Sequence, residues 1–209
     1  NAFANLPFYG SINSEFIELA NVYDKKSIVD LGCGTGNITK LILKKLQLAK
    51  DSVIYAVDSS KSALVTAAQE VENNSIVKFI HSEVQNLTEA VKEKADAMIY
   101  CNSIHYVPDK QKLLTEIRNK LNQNGVLAFN SSFYDGSHPE ESLDFYKKWM
   151  FRSFRLLKKD HDLKPDKSAK VSSREQLTPE DYQDLLENTG YKVEHIKAKS
   201  YQVPIDGFH

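Results

Sequence analysis

The chain reads SIVDLGCGTGN from Ser27 to Asn37, and this stretch decides the fold. Its first five residues form a short apolar run, which predicts a buried strand. Glycines then follow at alternate positions, and they allow both a sharp turn and the close approach of a ligand to the main chain. An amphipathic helical pattern begins at Asn37, so the loop leads into a helix N-terminus with free N–H groups. The stretch therefore predicts a strand, a ligand-binding loop and a helix.

Strand and helix patterns alternate through the rest of the chain. This alternation predicts an α/β fold with a doubly wound, mainly parallel sheet that is covered on both faces. Ligands of such sheets bind beyond the carboxyl ends of the strands. The predicted strands are residues 27–31, 52–57, 76–81, 95–101, 126–130 and 191–203. The predicted helices are residues 12–22, residues 37–48, a helix capped by Ser59 or Ser60, residues 87–94, a helix from Pro108 that ends at Asn124-Gly125, and a helix from Thr178 to Gly190.

The overall composition excludes several classes of protein. The 209 residues include 27 Lys or Arg, 28 Asp or Glu and 41% hydrophobic residues. A single domain over residues 1–209 is expected. No apolar run reaches the roughly 18 residues of a membrane span, and the absence of a basic excess argues against nucleic acid as a partner. Two cysteines are too few for a disulfide framework or a metal site, and no secretory signal pattern is found, so we expect a cytoplasmic protein without a bound metal.

The glycine loop distinguishes between classes of nucleotide-binding motif. The dinucleotide fingerprint needs a glycine where this chain has Asn37, and no Gly-Lys-Ser/Thr follows for a P-loop. The string Val29–Gly36 instead resembles the first motif of the class I S-adenosylmethionine-dependent methyltransferases, in particular the type 11-like enzymes that act on small molecules. The resemblance extends from about residue 28 through the predicted sixth strand. It implies a Rossmann-like fold with S-adenosylmethionine as cofactor and S-adenosylhomocysteine as product.

The resemblance also implies how the cofactor is bound. Asp58, which ends the second strand, would accept hydrogen bonds from both ribose hydroxyls. Glu83, where most members of the family have Asp, would bind the adenine amino group, and the N–H of Val84 would face a ring nitrogen. Asp30 and the carbonyl of Gly32 would hold the methionine end. The complete set expected at the cofactor is Tyr9, Asp30, Gly32, Cys33, Gly34, Gly36, Asn37, Asp58, Ser59, Glu83, Val84 and Asn102.

The segment after the fourth strand is expected to face the transferred methyl group. Asn102 would lie near the methyl group and the ribose, and Tyr9 would cover the cofactor. His105 is the candidate general base, which is needed only if the acceptor loses a proton in the transition state; the alternative is a pocket wall. Tyr106 is expected to contact substrate. The sequence Asn-Ser-Ile-His at residues 102–105 lacks the Asn/Asp-Pro-Pro-Tyr motif of enzymes that methylate DNA adenine.

Residues 131–173 are too long for a simple connection between a strand and a helix. We expect an inserted helical lid here, with Phe145, Trp149 and Phe154 lining a pocket for an apolar or acyl substrate; an extra core helix is the alternative. Residues 147–170 hold nine Lys or Arg and three Asp, whereas the remainder holds 18 basic and 25 acidic residues. This run predicts either a solvated helix face or a basic rim that attracts an acidic substrate or an acidic carrier protein.

The sequence as a whole predicts methyl transfer from S-adenosylmethionine, by in-line displacement, to oxygen or carbon of a small-molecule or carrier-tethered acyl substrate. The family's seventh strand is not identifiable before His209, so we expect either a hairpin within residues 191–209 or a C-terminally truncated fragment. Two alternative functions stay open at this point. One is a non-catalytic domain of a larger protein that binds S-adenosylmethionine or S-adenosylhomocysteine, and the other is an NAD-linked oxidoreductase.

Overall fold

Five parallel strands form the centre of the structure, a computed structural model that describes residues 7–46, 51–164 and 176–201. In sequence they are β1 (Ser27–Leu31), β2 (Val53–Asp58), β3 (Val77–His81), β4 (Ala95–Cys101) and β5 (Leu121–Asn130). They lie in the order β3-β2-β1-β4-β5, and all neighbours are parallel. The chain therefore winds outward in both directions from β1, as predicted. The loops that follow β1 and β4 diverge at this point, which leaves a crevice beyond their carboxyl ends.

Helices cover both faces of this sheet. Two 3-10 turns, Val84–Asn86 and Ile104–Tyr106, lie in the loops that follow β3 and β4. The α-helices within the described residues are α1 (Pro7–Ala20), α2 (Asn37–Lys45), α3 (Lys61–Glu70), α4 (Leu87–Ala90), α5 (Lys110–Lys120), α6 (Glu140–His161) and α7 (Pro179–Asn188).

The central strand β1 separates two hydrophobic layers. Ile28 packs in the layer built with α1, α2 and α3, whereas Val29 and Leu31 pack in the layer built with α4, α5 and α7. All three side chains are fully buried, and burying each one stabilises the fold by about 2 kcal/mol. Because side chains alternate along a strand, Asp30 shares the face of Ile28. An acidic group is thereby placed inside the first layer, next to α2.

Several helix ends differ from the predicted ones. The first helix begins at Pro7 rather than residue 12, and the helix predicted over residues 87–94 ends at Ala90 because Val91 is extended and buried. Residues 47 and 48 of the second predicted helix lie outside the described residues. The predicted caps are confirmed: the Ser60 hydroxyl accepts from an N–H of α3, and Thr178 begins α7 in a capping box.

The junction between α5 and β5 lies earlier than predicted. The helix was expected to continue to Asn124-Gly125, but Leu121 is already extended and pairs with Ala95 in the sheet. The ladder is irregular over the next residues and resumes where Val126 pairs with Ala97. Leu121 fits the apolar period of the helix, and its side chain is buried. The same side chain reaches the core equally well from the start of a strand, so the pattern did not distinguish the two.

The predicted sixth strand is wrong over residues 191–201, which form no strand in the structure; residues 202 and 203 lie outside the described residues. A strand needs backbone hydrogen bonds to a neighbour, but side chains hold this segment. Lys197 and Lys199 form ion pairs with Glu15 of α1. The ring of Tyr201 stacks on Phe8 of the same helix, with ring centroids 5.2 Å apart. The segment therefore follows α1 and leaves the sheet at five strands within the described part of the chain.

The helix α6 forms within the predicted insertion, but none of its described residues is buried. Phe145, Trp149 and Phe154 are 51%, 54% and 39% exposed, respectively. The alternative of an extra core helix is therefore wrong, and a cover over the crevice is not confirmed. Within the described residues, no helix combines the length and apolar character needed to cross a membrane.

Gly36 connects the loop after β1 to α2 with a φ of 90°, and an added Cβ would lie 3.0 Å from the Cα of Ala67 on α3. We expect Gly36→Ala to lower the free energy of unfolding by about 2–4 kcal/mol, because left-handed strain and overpacking add together. Gly136→Ala is the matched control, since its φ is 87° but no atom lies within 4 Å of the added Cβ. Urea unfolding measures both variants. Equal losses of unfolding free energy in the two variants would contradict a contribution from overpacking against Ala67.

Candidate functional site

The glycine loop after β1 is tied to the end of β2. The N–H of Cys33 donates to the carbonyl of Val57 at 3.0 Å, and the N–H of Gly34 donates to Oδ2 of Asp58 at 2.8 Å. The second oxygen of Asp58 accepts from the N–H of Ser60 at 2.8 Å. Each carboxylate oxygen keeps a further lone pair. Asp58 therefore organises the loop and can still accept two more donors, which matches the two ribose hydroxyls that the resemblance implies.

The backbone of the loop leaves open space at one position. Gly32 and Gly34 both have positive φ, at 64° and 53°. An added Cβ at Gly32 would lie 3.4 Å from Oγ of Ser103 and from the ring of Tyr100, but at Gly34 it would meet no atom within 4 Å. A ligand can therefore lie directly against the main chain of Gly34. A side chain at this position would occupy that space.

Asp30 supplies a buried acceptor next to this loop. Its residue is 1% exposed, and its Oδ2 accepts from the hydroxyl of Thr39 at 2.6 Å. The other oxygen, Oδ1, is buried without a hydrogen-bond partner among the described residues. Burial raises the pKa of Asp30 to about 7; the bonds from Thr39 lower this pKa, and the nearby Asp58 carboxylate raises it. An unsatisfied buried acceptor costs about 1–3 kcal/mol, so the site fits a ligand with a donor, such as the amino group of a methionine moiety.

The loop after β3 lies beside the end of β2. The N–H of Ser82 donates to the carbonyl of Asp58 at 3.0 Å. Glu83 follows, exposed, and its carboxylate has no hydrogen-bond partner within the described ranges; Val84 begins a 3-10 turn. Ser59 is also exposed at this edge. The structure thus brings Glu83 and Val84 to the same edge of the sheet as Asp58, as the resemblance implies for an adenine site.

Asn102 connects three elements at the end of β4. Its backbone has a φ of 48°, which Asn tolerates better than most residues. Its N–H donates to Oδ1 of Asn130 at 2.8 Å, and its own Oδ1 accepts from the N–H of Ser132 at 2.8 Å. Its Nδ2 donates to the Tyr9 hydroxyl at 3.2 Å. Burial raises the pKa of Tyr9. Tyr9 and Asn102, each expected at the cofactor, are therefore in contact.

His105 is enclosed three residues further on. It is 2% exposed, and its ring lies 4.1 Å from that of Tyr106 and 4.7 Å from that of Phe133, measured between centroids. Its Nδ1 lies 3.0 Å from Oγ of Ser131. Its Nε2 is buried with no partner in the described residues. Burial and the nearby Lys110 ammonium lower the pKa of His105, so the imidazole is neutral at pH 7.

Sequence reasoning missed Ser131 and Phe133 as neighbours of His105. They lie 26 and 28 residues further along the chain, directly after β5. The signal that could have found them is their place after a parallel strand adjacent to β4, since the carboxyl ends of such strands meet at one edge.

Three residues predicted to contact substrate lie outside this arrangement. Phe145 and Trp149 are exposed on α6. Phe154 lines a separate open groove of about 480 Å³ with Leu163. Asn37 is exposed at the first position of α2, and Cys33 is buried in the loop. In the described portion of the chain, no group of three or more His, Cys, Asp or Glu is placed to hold a metal ion.

The chain matches one protein family over most of its length. The profile described as "Methyltransferase domain" covers residues 23–190. This range includes all five strands, the glycine loop and the helices from α2 to α7. The match therefore involves the whole sheet and the crevice, not the glycine loop alone.

Individual relatives and solved structures carry related descriptions. The chain is 39% identical over 106 residues to a trans-aconitate 2-methyltransferase of Enterobacter sp. (strain 638), an alignment of 50% of this chain and 38% of the relative. It is 32% identical over 121 residues to a malonyl-[acyl-carrier protein] O-methyltransferase of Halalkalibacterium halodurans, covering 54% and 42%. The chain thus spans about two fifths of these relatives. The plantazolicin methyltransferase BamL, solved with a substrate analogue and S-adenosylhomocysteine, shares the fold at a TM-score of 0.62 and 14% identity, covering 90% of this chain and 65% of BamL.

The buried carboxyl group of Asp30 makes stability depend on pH. Its pKa is about 7 when folded and 3.8 in the unfolded chain, so the folded protein binds more protons between these values. Relative to Asp30→Asn, the native chain should therefore lose up to about 4 kcal/mol of stability as pH rises from about 4 to above 7. Urea unfolding of both proteins across this range measures the difference. If the two stability curves were parallel over this pH range, the pKa of Asp30 would be the same in the folded and the unfolded chain.

Proposed function

This chain belongs to the methyltransferase domain family, and from that premise we propose that it transfers a methyl group from S-adenosylmethionine to an oxygen or carbon atom of a small-molecule or carrier-bound acyl acceptor. The observation that carries the proposal is the unpartnered Oδ1 of Asp30, next to a loop with open space above Gly34. The names of the two relatives, one a small-molecule and one a carrier-protein methyltransferase, support this class of acceptor.

The proposed roles at the cofactor follow from the donors and acceptors present. The cofactor would supply a methyl group on a sulfonium sulfur, and this group would pass to the acceptor in a single displacement with the thioether as leaving group. Asp58 has two lone pairs for the ribose hydroxyls, and Glu83 has a free carboxylate for the adenine amino group. Asp30 and the carbonyl of Gly32 bind the methionine end. The Val84 N–H completes the adenine contacts. Together, these contacts orient the reacting groups and exclude water.

The basic helix α6 supports the finer proposal that the acceptor is delivered on an acidic carrier. At 3.6 residues per turn, its Lys and Arg side chains lie within less than half of the helix circumference. None of them forms an ion pair within the described residues, and the helix buries no residue. Six cations are on this surface, which we call the basic arc: Lys147, Lys148, Arg152, Arg155, Lys158 and Lys159.

An apolar groove adjoins the basic arc and fits the same kind of partner. Phe154 and Leu163 form the apolar part of this groove of about 480 Å³, and Lys164 adds a further cation to its rim. An acidic protein surface gains long-range attraction from such a rim, and apolar contact is then available at short range. The helix dipole alone also favours cations in the last turn, but Lys147 and Lys148 lie far from that end.

The experiment that tests the function is an acceptor panel monitored by release of S-adenosylhomocysteine. It contains free acids, free hydroxyl compounds and acyl groups on an acidic carrier protein. We expect turnover with at least one class and loss of cofactor binding in Asp58→Ala. Tight S-adenosylhomocysteine binding without turnover would instead indicate a non-catalytic binding domain. Binding of NADH without affinity for S-adenosylmethionine would contradict the proposal that this chain transfers a methyl group.

Charge reversal tests the basic arc. We expect Arg152→Glu/Arg155→Glu to raise the KM for a carrier-bound acceptor about tenfold at low salt, because attraction to an acidic partner becomes repulsion. The KM for free acceptors should stay unchanged. The matched control is Lys92→Glu/Lys94→Glu, which changes net charge equally at exposed positions before β4. Steady-state kinetics over a range of salt concentrations measures all three proteins, and identical salt dependence would contradict the docking role.

A further inference from the structure

The hydroxyl of Ser131 makes three hydrogen bonds with a single proton. It donates to the carbonyl of Phe133 at 2.9 Å and accepts from the N–H of Phe133 at 3.0 Å. Its third neighbour is Nδ1 of His105, at 3.0 Å. Because the one hydroxyl proton points at the carbonyl, the remaining contact is satisfied only if Nδ1 of His105 is the donor.

The opposite tautomer leaves more groups without partners. If the Ser131 hydroxyl donated to His105, the carbonyl of Phe133 would lose that donor, and the proton on Nε2 would be buried with no acceptor in the described residues. Nε2 lacks a partner in either tautomer, so the difference between the tautomers is the donor lost by the Phe133 carbonyl, and a buried acceptor left without a donor costs about 1–3 kcal/mol. A doubly protonated ring would bury the same N–H and add a charge near Lys110. The hydrogen-bond pattern therefore favours a neutral ring with its proton on Nδ1.

The second ring nitrogen of His105 has no partner among the described residues. Nε2 of His105 carries a lone pair, is buried and accepts no hydrogen bond within the described part of the chain. The His105 ring packs against the rings of Tyr106 and Phe133, which are themselves 59% and 45% exposed. Side chains with that exposure can change rotamer without disturbing the core. A substrate group can thus replace the ring of Phe133 against the imidazole of His105.

We propose that Ser131 is a positioning residue that holds His105 in the Nδ1–H tautomer, so that Nε2 accepts the proton of a hydroxyl acceptor during methyl transfer. This assignment rests on the proposed function and narrows its acceptor to a hydroxyl. A carboxylate is a poor fit, because it has no proton to give at neutral pH and its charge is repelled by the Nε2 lone pair. A hydroxyl donates its proton to that lone pair and directs its own lone pair at the methyl carbon.

The proposed step balances in atoms and electrons. The hydroxyl oxygen forms a bond to the methyl carbon, and the carbon–sulfur bond breaks with its electron pair moving to sulfur. The hydroxyl proton passes to Nε2 of His105, and the resulting imidazolium later releases it to water. Ser131 keeps its bond to the Nδ1–H throughout. The low pKa of His105 makes it neutral, and therefore able to accept, at the start of each cycle.

The tautomer can be measured directly in the full chain. Long-range ¹H–¹⁵N correlation spectra distinguish protonated from unprotonated ring nitrogens, and His105→Asn identifies the signals of His105 among six histidines. We expect Nδ1 protonated and Nε2 unprotonated in the native chain and in Ser131→Thr, which keeps the hydroxyl. Ser131→Ala should shift His105 toward the Nε2–H tautomer. A protonated Nε2 in the native chain would overturn the proposal.

Kinetics test the use of the lone pair. His105→Asn keeps a donor for Ser131 but has no base, so kcat with a hydroxyl acceptor should fall about 10²–10⁴-fold while the KM for S-adenosylmethionine stays unchanged. Ser131→Ala should lose about tenfold in kcat, with recovery in Ser131→Thr. The control is Ser52→Ala, which removes a 2.7 Å bond to the Lys25 carbonyl before β2 and should leave kcat unchanged.

Three outcomes separate this inference from the proposed function. Undiminished kcat in His105→Asn with a hydroxyl acceptor overturns the base role. Turnover confined to carboxylate acceptors overturns the hydroxyl assignment and leaves the methyltransferase function intact. Binding of S-adenosylhomocysteine without turnover of any acceptor overturns the proposed function, and the spectra then still decide whether Ser131 fixes the tautomer.

Discussion

Asp30 holds a carboxyl group inside the sheet with one oxygen bonded to Thr39 and the other bonded to nothing among the described residues. Its place follows from the alternation of side chains along β1, which points Val29 and Leu31 into one core and Asp30 into the other. A charged group there destabilises the folded protein unless a donor or cation arrives. Asp58 lies close enough to raise this penalty. The two acids therefore make the empty loop less stable than the same loop with a positively charged ligand bound.

The site divides into two halves at the carboxyl end of β4. On one side, the ends of β1, β2 and β3 present backbone groups and acids that suit a nucleoside and an amino acid. On the other side, the ends of β4 and β5 present Asn102, His105 and Ser131. Asn102 connects the second half to α1, because its side chain contacts Tyr9 on α1 and its backbone contacts β5. The proposed cofactor and acceptor sites therefore lie at the same edge of the sheet.

The sequence predicted the five strands well, because buried parallel strands produce apolar runs that few other structures share. It misplaced the start of β5, since Leu121 satisfies a helical and a strand pattern equally. It was wrong about residues 191–201, where alternation is present but strand pairing depends on a distant partner that alternation does not reveal. Asp30 and Asp58 were found because the glycine loop resembles the first motif of the methyltransferase family, which implies roles for both acids. Ser131 was missed, because its contact with His105 depends on β4 and β5 lying side by side, and this adjacency was not used to search the residues after β5.

The close approach of Gly36 to Ala67 has a consequence for how the protein can vary. This contact explains why a small residue, Ala67, stands on α3 here, since an added Cβ on Gly36 would lie 3.0 Å from Ala67. Position 67 therefore acts as a spacer: the size of its side chain sets the distance between α3 and the glycine loop. Asp58 and Ser60 connect that helix to the loop through hydrogen bonds. A substitution that changes the side-chain size at position 67, which is buried and touches no ligand, would thus change the width of the crevice.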